Sequence, residues 1–184
     1  NDSWSICKFF ATAFAPLGTT SFDLFPSAMV EQIEALHTKI YETLLNGVYR
    51  AGIGRLFGNL DGAQAAAQDV YSCLDFLERR LTETKFLFGT ELTLADVRLA
   101  MALLRYDAAY RASFSLFGGR GGVLLNSGYP ALAGYTRDIY SRIHVEVDWP
   151  SFRQYYRWTS AVEPEASLPV LCDIIASAEA PHGR

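Results

Sequence analysis

Apolar positions in this chain recur at intervals of three and four residues, the spacing of one helix face. Residues 3–14 read as a first helix, with Ile6, Phe9, Phe10 and Ala13 on one stripe. Pro16, Gly18 and a run of Ser and Thr make 15–23 a loop. Pro26 opens a long helix, because a missing N–H costs nothing in a first turn. Ile33, Leu36, Ile40 and Leu44 carry its stripe, Asn46-Gly47 bends it, and Val48 and Ile53 resume it. A Gly-rich turn is expected over 54–62. The clearest helix follows at 63–81, with Val70, Cys73, Leu74, Leu77 and Leu81 on one face and Glu78, Arg79 and Arg80 largely off it.

Residues 93–110 form the next helix, and its start is written in side chains. Thr93 followed by Asp96 makes a capping box, in which each side chain serves the other's backbone N–H, and Leu92 with Val97 fits the flanking staple. Gly118, Gly119, Gly121, Gly122 and Gly128 mark 118–128 as an irregular loop. Tyr129-Pro130 starts a helix to about 143, and Trp149-Pro150 another to about 160. The tail from Glu163 is poor in periodicity. His144 to Trp149 alternates, but it is too short and isolated to build a sheet. Six or seven helices without strands predict an all-α helical bundle.

Composition narrows the classes. The chain has 184 residues, 50% of them hydrophobic and 20% charged, the balance of one globular domain with a real core. The net charge of −4 and the lack of a basic stripe speak against nucleic acid as a partner. No apolar run reaches the ~20 residues of a transmembrane helix, and no signal peptide is visible. Cytoplasm and organelle are equally open. Cys7, Cys73 and Cys172 are odd in number and far apart, so neither a disulfide framework nor a zinc site is expected; Cys7 and Cys73 read as core.

Candidate chemistry is sparse. There is no G-x-S-x-G elbow and no H-E-x-x-H. His37, His144 and His182 lack ligand spacing, no metal is expected, and His37 reads as a surface or boundary residue. The glycines at 118–122 lack the Lys-Ser/Thr of a phosphate loop. Tyrosine remains. Tyr49 stands in Asn-Gly-Val-Tyr-Arg-Ala-Gly, Tyr106 and Tyr110 end a helix beside Arg105, and Tyr155-Tyr156 lie between Arg153 and Arg157. A phenol can donate to a quinone or phenolate oxygen and stack on an aromatic ligand. For any one of them, core packing is the competing role.

Several segments in order carry a resemblance. They are Ile40-Tyr41, Asn46-Gly47-Val48-Tyr49-Arg50-Ala51-Gly52, Glu91-Leu92-Thr93-Leu94-Ala95-Asp96 continuing to Leu99, Leu104-Arg105-Tyr106-Asp107 with Tyr110, Arg137-Asp138-Ile139-Tyr140, and Tyr155-Tyr156 with Pro164. Together they resemble the helical C-terminal domain of glutathionyl-hydroquinone reductases, the xi class of glutathione transferases. The resemblance spans 1–164 and leaves 165–184 as an irregular tail. In that family a thioredoxin-like domain precedes the helical one, and its Cys-Pro thiolate attacks the sulfur of a glutathionylated hydroquinone. The Cys-Pro motif is not in this sequence, and Cys7 is the only local thiol.

The resemblance implies roles for named residues. Asp2-Ser3 would be the last piece of a glutathione site, so the chain is expected to start where the thioredoxin-like domain ends. Tyr49, Tyr110 and Tyr155 (with Tyr156 as the neighbouring choice) would bind an aromatic or quinone substrate. Thr93 and Asp96 would serve folding, and Arg50 and Arg105 would be partly structural. Glutathione would be a cosubstrate only together with the absent domain, and a homodimer is implied by the family alone. Departures cluster near the expected pocket: Ser113-Phe114-Ser115-Leu116, Trp158-Thr159 and 53–61. They favour a second reading, a non-catalytic structural or interaction subunit with protein partners in a larger assembly.

Overall fold

A computed structural model describes residues 2–18, 23–106, 110, 125–143, 148 and 151. Seven α-helices are found among them: α1 Ser3–Ala13, α2 Val30–Ile40, α3 Gly47–Leu56, α4 Leu60–Glu83, α5 Leu94–Arg105, α6 Leu125–Gly128 and α7 Pro130–Ile143. Among the described residues there is no strand; Phe86 and Gly89 form a single isolated bridge. Of the expected helix at 149–160 only Ser151 is described, and the tail 165–184 lies outside the described residues.

The long helix α4 is the spine. Its inward face is small at the first turns, with Ala63, Ala66 and Ala67, and larger later, with Val70, Leu74, Leu77 and Leu81, all buried. Small residues let α3 approach closely. A Cβ on Gly47 would stand 2.9 Å from Val70 Cγ2, and one on Gly54 would stand 3.1 Å from Ala63 Cβ. The glycine cluster expected as a turn over 54–62 is therefore mostly helical. Gly54 serves helix packing inside α3, and the turn shrinks to the residues around Gly58, whose φ is +78°. The expected loop at 118–128 likewise ends in the short helix α6.

The bend at Asn46-Gly47 is a π-turn over Tyr41–Leu45, where the Asn46 N–H donates to the Tyr41 carbonyl at 2.8 Å. It lets α2 and α3 share one continuous chain while pointing their apolar stripes differently. Helix α1 shows a second difference. Ile6, Phe9 and Phe10 are about half exposed or more, and Trp4 and the half-buried Cys7 and Ala11 face the core instead. Periodicity identified the helix but not the covered side.

Two carboxylates fasten helices to one another. Glu78, on the flank of α4, accepts from the backbone N–H groups of Ala131 at 2.8 Å and Leu132 at 2.9 Å. An anion there satisfies orphan donors in the first turn of α7. Asp96 is fully buried and holds more. Its Oδ2 accepts from the Thr93 N–H and the Thr93 hydroxyl, both at 2.8 Å. Its Oδ1 accepts from the Leu87 N–H at 2.8 Å and the Tyr135 hydroxyl at 3.0 Å. The capping box is formed, and it reaches beyond its own helix to the loop before α5 and to α7. Burial pushes the Asp96 carboxyl above its ordinary value, and the four hydrogen bonds oppose that push.

Asp96→Asn keeps the shape but turns one acceptor into a donor facing donors. It is expected to lower folding stability by about 3 kcal/mol or more, measured by urea unfolding. A loss within experimental error would remove Asp96 from its fastening role.

Candidate functional site

A cleft of about 470 Å³ opens between α1, the π-turn, α3 and α5, within the size range of small-molecule sites. α1 contributes Ser3, Trp4 and Cys7; the turn contributes Tyr41, Leu44 and Asn46; α3 contributes Val48 and Tyr49. Helix α5 supplies Leu94, Val97, Arg98, Met101, Ala102 and Arg105. Those positions follow the i, i+3, i+4, i+7 rule, so they are one face of one helix. The opposite positions Ala95, Leu99 and Leu103 are buried in the core.

Two tyrosines singled out in the sequence meet here. The Tyr49 and Tyr110 hydroxyls lie 3.2 Å apart, with ring centroids 5.7 Å apart at an interplanar angle of 67°. Tyr49 is half exposed, Tyr110 is buried, and both line the cleft. Tyr106 is 1% exposed and belongs to the core. Tyr155 and Tyr156 lie outside the described residues.

The Asp2-Ser3 pair is divided between two tasks. Ser3 lines the cleft. Asp2 caps α1, accepting from the Trp4 N–H at 3.0 Å and from the Ser5 hydroxyl. The Ser5 hydroxyl, then the Trp4 N–H, hold its carboxyl below the usual range. Arg50 does not line the cleft. It joins the Glu42 carbonyl at 2.9 Å to Asp69 of α4 at 3.2 Å, a structural task across the π-turn. Arg105 lines the cleft and is exposed.

Behind the cleft wall, Trp4 joins a cluster that the sequence did not signal. Trp4 stacks on His37, with centroids 3.8 Å apart and planes 9° apart. Its indole N–H donates to Glu34 at 2.7 Å, and Lys8 pairs with the same carboxylate. His37 is 7% exposed, which corrects its reading as a surface or boundary residue: the stripe of α2 is wide enough to bury it against α1. Burial first, and the Arg98 charge second, lower its pKa from 6.5 to about 4. Arg98 was legible only as part of a motif. Its signal is a cation on the Leu94–Val97–Met101 face. Cys73 is buried as expected, and burial pushes its thiol up.

Among the described residues, no group of three or more His, Cys, Asp and Glu could hold a metal ion, and no helix is long and apolar enough to cross a membrane.

This bundle and its cleft define a class. Residues 60–138 match the C-terminal domain of glutathione S-transferases. The likeness then narrows. The chain is 33% identical over 187 residues to glutathionyl-hydroquinone reductase YqjG of Escherichia coli K12, across 100% of this chain and 54% of that protein. It is 35% identical over 114 residues to glutathionyl-hydroquinone reductase PcpF of Sphingobium chlorophenolicum, across 62% of this chain and 36% of that protein. The chain thus spans about half, or less, of the length of these relatives.

Solved structures agree. The glutathione-bound structure of E. coli YqjG superposes with a TM-score of 0.79 at 31% identity, covering 100% of this chain and 57% of that one. The xi transferase of Phanerochaete chrysosporium gives 0.65 at 30% identity, over 76% of this chain and 43% of that one.

The buried His37 makes stability pH-dependent with a definite sign. The unfolded chain takes up this proton near pH 6.5 and the folded chain only near 4. The stabilisation is therefore complete above 6.5 and is lost as pH falls toward 4. The loss is expected to be about 2 kcal/mol, allowing for partial screening. In His37→Phe, which keeps an aromatic ring against Trp4, this limb should flatten. Glu34 and Asp2 titrate in both proteins, so the difference between the two stability–pH curves isolates His37. Parallel curves would show that the imidazole is not held neutral.

Proposed function

We propose that this chain is the electrophile-binding half of a glutathione-dependent glutathionyl-hydroquinone reductase, working with a thioredoxin-like domain that carries the attacking cysteine. The observation that carries this reading is the Tyr49–Tyr110 hydroxyl pair, 3.2 Å apart in the wall of an aromatic-lined cleft. Two residues 61 positions apart are brought there by different elements, and both are positions the family resemblance assigns to substrate.

The chemistry follows from what such a pair can do. In the reaction, a cysteine thiolate attacks the glutathione sulfur. A sulfur–sulfur bond forms, the carbon–sulfur bond breaks, and the ring carbon takes up a proton. Negative charge on the aromatic ring falls partly on its oxygens. One phenol donating to a quinol oxygen stabilises that charge as it develops, and the other phenol, donating to the first, makes it a stronger donor. Val48, Leu94, Val97 and Met101 supply an apolar wall for the ring. Ser3 lines the same cleft, which supports a role toward the tripeptide. The similarity to YqjG and PcpF supports the substrate class.

A second reading has its own observation. Phe9 and Phe10 on α1 and Phe14 and Leu17 just after it are exposed, and Phe57 is 84% exposed at the α3–α4 turn. Such apolar surface suits a protein contact, in keeping with a non-catalytic interaction subunit.

Activity separates the two. Purified alone, the chain is expected to show no glutathione-dependent release of quinol from a glutathionylated hydroquinone; turnover would move the chemistry to Cys7. Joined to a Cys-Pro thioredoxin-like domain, it should turn over. Tyr49→Phe and Tyr110→Phe should then each lower kcat/KM by about 10- to 100-fold. An inactive joined protein, or variants at wild-type rates, would favour the interaction subunit.

A further inference from the structure

The cleft carries charge of one sign. Arg98 and Arg105 line it, and no described Asp or Glu does. Arg98 is mostly buried, and its Nε has no hydrogen-bond partner. The ion pairs found among the described residues are Lys8–Glu34, Arg50–Asp69 and Arg142–Asp138, and none involves Arg98.

This is an expensive arrangement unless something else completes it. A guanidinium stays charged at any working pH and offers five donors in a fixed fork that matches a carboxylate. A buried donor without an acceptor destabilises the fold. Leucine or methionine would continue the Leu94–Val97–Met101 wall without that penalty.

We infer that Arg98 is a specificity-determining residue that anchors a carboxylate on the ligand of this cleft. The inference rests on the reading of the cleft as an aromatic site. Arg98 lines the same cleft as the Tyr49–Tyr110 pair. A phenolic oxygen at the tyrosine pair and a carboxylate at Arg98 would use both polar stations. The carboxylate has two possible sources, the arene or glutathione, because Ser3 borders the same cleft.

The 184-residue chain is titrated with 2-naphthol, 6-hydroxy-2-naphthoate and glutathione, following naphthalene fluorescence and heat of binding. The naphthoate is expected to bind at least about tenfold tighter than the naphthol, the size of one charge-assisted hydrogen bond. Arg98→Gln should abolish that preference, read as the ratio of naphthoate to naphthol affinity in the same variant, and Arg98→Lys should keep part of it. Arg105→Gln should matter less, because that residue is exposed. The wild-type comparison of the two arenes needs no variant, and thermal melts check that the variants fold.

Equal arene affinities together with Arg98-dependent glutathione binding would keep the anchor and assign its carboxylate to the tripeptide. Equal affinities with Arg98-independent glutathione binding would overturn the inference and leave the aromatic cleft standing. A naphthoate preference that survives Arg98→Gln would also overturn it. If neither arene binds, the aromatic reading fails and this inference fails with it.

Discussion

The rest of the bundle hangs on one buried carboxylate. Asp96 is 0% exposed and accepts four hydrogen bonds from three parts of the chain. A charge there is costly unless every lone pair is used, and here they are used on donors that would otherwise be orphans. The bonds to Thr93 start α5, the bond to the Leu87 N–H sets the loop that enters it, and the bond from Tyr135 ties α7 across it. Because those donors are fixed by backbone or by a stiff ring, they set the rotation of α5 about its axis. That rotation decides which residues of α5 meet the core and which meet the cleft.

Close approach on the other side completes the frame. Gly47 and Gly54 let α3 lie against the alanine end of α4, where any Cβ would collide with Val70 or Ala63. The π-turn Tyr41–Leu45 turns the chain just before that contact. Arg50 then bridges the turn's Glu42 carbonyl to Asp69, so the bend is held from outside as well as packed from inside. A half-exposed Tyr49 is presented to the cleft as a consequence of packing around it.

Much of this was legible because it is local. The capping box spans four residues, Tyr129-Pro130 is two, and α4 repeats its stripe for 24 residues. Local patterns name elements. What was misread depends on neighbours. Ile6, Phe9 and Phe10 form a valid helical stripe, but Trp4 packs inward because His37 offers a flat partner at 3.8 Å. Gly54 looks like a turn residue until Ala63 of α4 is seen beside it, and Gly62 lies in the first turn of α4 against its own cap, Asn59. His37 is polar by type and buried by context. For the site, Tyr49 and Tyr110 were named from resemblance, but their pairing needed the tertiary fold. Arg98 was hidden because a lone arginine in a helix usually signals a solvated face.

Helix α5 therefore works on two sides at once, and the two sides constrain each other. Its core face of Ala95, Leu99 and Leu103 leaves no freedom to rotate without opening cavities. Its cleft face presents Val97, Arg98, Met101 and Arg105 at helical spacing. A ligand meeting this wall meets a surface whose orientation was set by Asp96 and by the core, before binding. Pre-organisation of that kind is what an electrostatic site requires, since donors already in place lose no entropy when charge develops beside them. The fastening that makes the fold stable is thus also what makes the cleft specific: loosening the α5 start would tilt the wall carrying Arg98 without touching a residue of the cleft.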